Sequence, residues 1–385
     1  VQILSSNLVQ NGDFSEEGVQ EVSNGSFSQE GVEQITNGDF ATDSNWIKQT
    51  GWTIANGKAN ASASTGAVYQ SITYVSSKKY KVSYTISDYV SGSLRITWGN
   101  AVGITNNGNG TFTEIISPTI GSNLVFLAAV GSFTGSIDNV SVREVGQDWI
   151  FSSGASLTNL GAKITHTPTA GVLQQSSILV VGKQYKFTYE ITESVSGGLK
   201  NTSAVNISMV TTVGTHTKYF EAAGDTLSLV RTNSINNDVT ITNISVKEVG
   251  MDWTLGTDVV IGDSVVEMNN SAALQGAIQT NVITSGNLCK VSFEVKNYVN
   301  GIVNLRHPLS ENVSANGVYT FVGNANDTKV FIRGADTTNN FEITNISVIE
   351  ITTDTNLPRI NYEGFSYQDA LGSELVTGDN SNFDT

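Results

Sequence analysis

One stretch occurs three times and sets the frame for the whole chain. Residues 136–149 read SIDNVSVREVGQDW, residues 240–253 read TITNISVKEVGMDW, and residues 342–354 read EITNISVIEITTD. Their asparagines, Asn139, Asn243 and Asn345, stand 104 and then 102 residues apart. A step that long is one small domain, because solenoid repeats run to about 20–50 residues. Each copy reads as a strand and a short linker. The first two copies end on the Trp that opens the next module.

The pattern between these marks is all-β. Short β-branched runs alternate with Asn-Gly and Ser-Gly turns, with 37 Gly, only four Pro and no sustained helical period. Strands are expected at 67–72, 80–87, 93–98, 111–116, 124–129 and 136–145. The run 80–87 puts Tyr80, Val82, Tyr84 and Ile86 on one face and polar residues on the other. The matching runs carry Tyr185, Phe187, Tyr189 and Ile191, then Cys289, Val291, Phe293 and Val295. The opening Trp precedes this strand by 34 residues in the first module and 36 in the others (Trp46, Trp149, Trp253). The fold class is therefore all-β: tandem β-sandwich modules of the jelly-roll type joined by short linkers, at 37–146, 147–250 and 251–351. Cys289, the single cysteine, permits no internal disulfide and reads as a small core residue.

Residues 1–36 hold a shorter repeat. NGDFSEEGVQEVS at Asn11, NGSFSQEGVEQIT at Asn24 and NGDF at Asn37 recur every 13 residues. A unit that short cannot bury a core alone, so it needs a neighbour. The stretch is read as a separate shaft or linker. It is either duplicated module openings forming a linker or small hairpins, or a trimeric fibre shaft of interchain strands. Residues 352–385 read as a linker and the start of a further module, and the chain, beginning at Val1, as a processed or incomplete piece.

Net charge is −15 with no basic stripe, so nucleic acid is an unfit partner. No apolar run reaches the ~18 residues that span a bilayer, so no membrane insertion is expected. His166, His216 and His307 are scattered, and no HExxH, GxSxG, CxxC or phosphate-loop motif occurs. The chain reads as non-enzymatic.

The order NGDF…W…YQSI…YKVSYTI…NGTFTEII…LVFLA…SIDNVSV resembles carbohydrate-binding modules of the family 4/9, CenC-like type, over all of the first module. Modules two and three keep the frame, with ITN in place of IDN and no NGDF opening. The NGDF openings, the VSVKEVGxDW junctions and the LPRINY linker also resemble repeats in tail-fibre and virion proteins of marine bacteriophages. The resemblance implies jelly rolls that bind glycans through aromatic rings. It also implies a structural calcium ion in module one only, which would fall on Asp39 and Asp138, since modules two and three have Thr242 and Thr344 there. Asp138 shares strand parity with Val140 and Val142, so it is expected on the inner side, held by a cation or by hydrogen-bonded capping of the opening loop.

Sugar rings stack on exposed aromatics. Trp52, Tyr69 and Trp98 are the carbohydrate-binding candidates, because the fold-bearing Trp46 recurs and Trp52 and Trp98 do not. Leu94, Ile96 and Trp98 share one strand face, which places Trp98 equally well in the core. The function expected is a structural and adhesive protein of a phage virion, on the virion or extracellular surface, binding a cell-surface glycan multivalently. Its partners would be other subunits of the assembly, as a homo-oligomer and in first place a trimer. The alternatives are the carbohydrate-binding array of a secreted polysaccharide-degrading enzyme, or a bacterial surface adhesin or filament.

Overall fold

The computed structural model describes residues 2–353, apart from 77, 153, 167–171, 205–206 and 233–235, together with the short paired strands Arg359–Asn361 and Ser366–Gln368. Most of 352–385, read above as a linker and a further module, lies outside the described residues. The described residues form strands and turns; no helix among them is long and apolar enough to cross a membrane. The chain divides into two compact units, residues 1–18 with 249–385 and residues 19–248.

Each module is a two-sheet sandwich. In module three one sheet runs Val259–Ile261, Val266–Ser271, Asn339–Thr353, Leu288–Asn300, Gly317–Asn324, and the other runs Thr254–Leu255, Gly276–Gln279, Val330–Gly334, Val303–His307, Glu311–Val313. Module two repeats both sheets in the same order, with Asp238–Val249 and Gln184–Ser196 at the centre of the first. In module one the two sheets are joined, because two central strands, Lys79–Trp98 and Leu124–Val145, run through both. The separate strands expected at 80–87 and 93–98 are thus one strand. Asp88 (φ 52°), Gly92 (φ 79°) and Gly131 (φ 78°) let the paired strands bend from one sheet into the other, with register shifts between Val130 and Ser136. The expected inward faces hold: Tyr80, Val82, Tyr84 and Ile86 are buried, as are their counterparts in the other modules, Cys289 included.

The thrice-repeated asparagine marks a bulge in each module's last strand. Asn139, Asn243 and Asn345 all take a left-handed conformation, at φ 52°, 48° and 55°. Before the bulge, one edge of the last strand pairs with a strand of its own module, as Val266 pairs with Ile343. Beyond it, that edge is covered by the N-terminal segments. Gln2–Leu4 pairs with Ile351–Thr353 in module three, Glu17–Gln20 with Asp238–Val249 in module two, and Glu30–Glu33 with Arg143 and Val145 in module one. The first segment thus serves the last module and the third serves the first.

The three dockings are built from the same contacts. The backbone N–H groups of Leu8, Glu21 and Gln34 donate to the carbonyls of Val348, Val246 and Val142 at 2.8–2.9 Å. Side-chain oxygens of Asn7, Gln20 and Glu33 accept the amides of those same valines at 2.8–3.0 Å. A buried glutamine from each module closes a two-bond clamp on the segment. Gln279 holds Gln10, Gln175 holds Ser23 and Gln70 holds Thr36, donor and acceptor both at 2.8–3.0 Å. The carbonyls of Asn11, Asn24 and Asn37 accept the indole N–H of Trp253, Trp149 and Trp46. The same indoles pack on Phe14, Phe27 and Phe40 at centroid distances of 5.0–5.2 Å. A side chain on Gly12, Gly25 or Gly38 would place its Cβ 1.9–2.1 Å from the carbonyl oxygen of Ile346, Ile244 or Val140, so only glycine fits there.

Residues 2–36 are therefore not a separate shaft or linker within the chain. Each described repeat unit is an edge segment of one module.

Candidate functional site

The sequence candidates separate by burial. Trp98 is fully buried, against Tyr80 at a centroid distance of 4.7 Å and edge-on to Tyr74 at 5.8 Å. Trp52 is 5% exposed and stacks on Phe133. Neither presents a ring face to solvent, so both are corrected from binding to core residues. The reason is parity: Trp98 follows Leu94 and Ile96 on the inner face, and Trp52 alternates inward with Ile54.

Tyr69 is placed differently. It is half-buried and stands on the outer face of the module-one sheet, packed on the half-buried Phe126 at 4.7 Å between centroids. Direct cross-strand pairing makes a row: Ile47 opposite Tyr69, Tyr69 opposite Phe126, Phe126 opposite Thr97, Thr97 opposite Val102. Paired residues share a face. Ile47 and Val102 are 54% and 60% exposed, so the row runs open from edge to edge. Arg95 stands one step along the same face, opposite Ala128; its Nε is buried and meets no partner among the described residues. An aromatic pair beside a guanidinium group offers a flat apolar surface with a positive charge next to it.

The matching row of module two is Ile150, Gln174 and Ser228, with no ring. That of module three is Thr254, Ile278 and Phe331, with the Arg333 guanidinium 5.5 Å from the Phe331 ring centroid. Sequence reasoning missed Phe126, Arg95 and Phe331. The signal was available in part: LVFLA places Phe126 at outward parity between Val125 and Leu127, but the opposite partner of an outward residue comes from register alone.

The inward placement expected for Asp138 does not hold. The bulge at Asn139 breaks parity, so Ile137 and Val140 are both inward and Asp138 lies off the inner face, half-buried. Its Oδ1 accepts the Asn139 amide at 2.6 Å. Asp39 is exposed, and its Oδ1 accepts the Ala41 amide at 3.3 Å. One oxygen of each carboxylate takes part in local capping of the backbone. Among the described residues no group of three or more His, Cys, Asp or Glu is placed to hold a metal ion.

Within the unit of residues 19–248, an open cleft of about 600 Å³ lies at the seam of modules one and two, lined by Lys78, Lys79, Glu144, Gln147, Trp149 and Phe151 among others. Lys79 sits 5.8 Å from the Phe151 ring centroid, and burial holds its pKa below the ordinary lysine value. Lys78 pairs with Glu144 at 2.7 Å. These contacts belong to the module seam, as does Ile115 of module one, which packs on the module-two core.

No family model matches the chain, and no curated protein does. Among solved structures it is similar to the N-terminal CBM22-1–CBM22-2 tandem domain of Xyn10C from Paenibacillus barcinonensis. The identity is 10%, the TM-score 0.21, and the match covers 53% of this chain and 93% of that one. At that similarity the functional reading rests on the site itself.

Proposed function

We propose that this is a non-enzymatic adhesive and structural protein of a phage virion, a fibre or surface appendage, whose modules present sheet faces to cell-surface glycans. The observation that carries the glycan reading is the open Ile47–Tyr69–Phe126–Thr97 row with Arg95 beside it. A pyranose lays its apolar C–H face on the ring pair, and a hydroxyl or carboxylate of the sugar meets the Arg95 guanidinium. The virion placement rests on the resemblance of the NGDF openings and module junctions to phage fibre repeats. One shallow platform binds weakly, and an appendage carrying many copies makes weak binding sufficient.

The test is a glycan-array screen of the full chain beside its Tyr69→Ala and Arg95→Gln variants. Glycans retained by the wild type and weakened about tenfold or more by Tyr69→Ala support the reading. Binding that neither substitution alters would move the site elsewhere. Absence of binding across the array would leave an architectural role alone.

A further inference from the structure

The three opening segments meet their modules through one shared set of contacts: a buried valine or isoleucine (Val9, Val22, Ile35), a glutamine clamp, a close-packed glycine, and a phenylalanine under the indole that binds the asparagine carbonyl. What differs lies at the surface. Glu30 is 2.6 Å from Lys81 and 3.8 Å from Arg143, and Glu33 is 3.4 Å from Arg143. The residues in those positions of the first segment are Leu4, paired with Ile351, and Asn7. An exposed ion pair changes an equilibrium by about fivefold or less, so these differences are small beside the shared contacts.

The segments also differ in how they are tethered. Asn37 and its Trp46 are nine residues apart, whereas 242 residues separate Asn11 from Trp253. A connection that long supplies effective concentration and no contact of its own. The third segment is therefore kept beside its module by a short tether, and the first is not.

We propose that each module carries a strand-receptor groove whose ligand is a short strand ending in Val/Ile-x-Asn-Gly-Asp/Ser-Phe, and that the three grooves are interchangeable. The reverse order of the segments is then set by the tether, and the first segment of a second copy of this chain can fill the groove of module three. The groove consists of the second half of Asn339–Thr353 as the pairing edge, Gln279 as the clamp and Trp253 as the floor. Exchange through it would join copies by a strand already present in the sequence.

The experiment uses the full chain with a protease site inserted between Glu16 and Glu17, cut after folding. Protection of Cys289 from thiol reagents before cutting establishes that module three has formed. The cut chain is refolded with excess labelled peptide of residues 2–16, 15–29 or 28–42. All three are expected to co-elute with it at one equivalent, with affinities within about tenfold of one another. The 2–16 peptide carrying Gly12→Val should bind more than about tenfold more weakly. An intact Gly12→Val chain is the second variant: it should take up the wild-type 2–16 peptide, while the wild-type chain, its groove filled, takes up little. Uptake of the 2–16 peptide alone would show that contacts choose the partner and would overturn interchangeability. Uptake of no peptide by either chain, or equal uptake of the Gly12→Val peptide, would overturn the groove itself.

Discussion

The indole N–H of Trp253 donates to the carbonyl oxygen of Asn11 at 3.1 Å, across 242 residues of chain. The same bond joins Trp149 to Asn24 and Trp46 to Asn37, at 3.0 and 2.8 Å. Each module thus finishes its edge with a segment that the gene places before all of them. The tryptophans are 7–8% exposed or less, so each has to satisfy its N–H internally, and the segment supplies the acceptor.

Substitution at Gly12 tests this edge. A Cβ there would lie 2.1 Å from the carbonyl oxygen of Ile346, so Gly12→Ala forces the first segment off module three or distorts the strand. Burial pushes the Cys289 thiol pKa up and hides the sulfur, which makes its labelling rate a reporter of module-three opening. Overpacking costs about 1–3 kcal/mol, so native-state labelling of Cys289 should speed up roughly tenfold or more. Gly25→Ala, in the unit of residues 19–248, should leave that rate unchanged.

Acid should loosen one of the three dockings and spare the others. Burial pushes the Glu33 carboxyl up, but hydrogen bonds from the Ser141 hydroxyl and the amides of Val142 and Ile35, with the Arg143 charge, outweigh it and leave its pKa below the usual carboxylate value. A depressed pKa contributes stability that is complete above the unfolded-state value and is lost as pH falls through the folded one. Asn7 and Gln20 fill the same role and do not titrate. Amide exchange measured from neutral pH to below the normal carboxylate range should therefore show Val142 losing protection relative to Val246 and Val348. Parallel loss at all three amides would contradict this.

The glutamine clamp separates two requirements. Gln175 accepts from the Ser23 amide at 2.8 Å and donates to its carbonyl at 3.0 Å, and Gln175 is buried. Gln175→Leu leaves both groups of Ser23 without their partner, at a cost of about 1–3 kcal/mol each if they stay buried. Gln175→Glu keeps the acceptor and sets a carboxylate oxygen against the Ser23 carbonyl. Urea unfolding should show a lowered midpoint for both variants, with Gln175→Glu recovering part of its loss at low pH, where the carboxyl can donate. Gln175→Leu should show no such recovery.

Trp98 and Tyr69 should divide stability from binding. Trp98→Ala empties a fully buried site and should cost about 3–5 kcal/mol in unfolding free energy. Tyr69→Ala removes half of a surface ring pair and should lower stability far less while weakening glycan binding. A variant series measured by both denaturation and array binding checks the division. A Tyr69→Ala protein as unstable as Trp98→Ala would assign Tyr69 to the core.

The sequence by itself determined the modules. Period-two alternation fixes which side of a strand is buried, and the turn residues between strands act over a few positions, so Tyr80 through Ile86 and their counterparts were legible without coordinates. Even the 13-residue repeat announced segments in need of a neighbour. The partner of each segment was decided only by tertiary structure, because strand pairing at a sheet edge is non-local and three nearly identical edges compete for three nearly identical ligands. Parity also failed at one place for a physical reason. The left-handed Asn139 adds a residue to the strand, and Asp138 turns away from the face that its spacing to Val140 implied. The Tyr69–Phe126 pair shows the same limit, since the two rings lie on strands that only the register brings side by side.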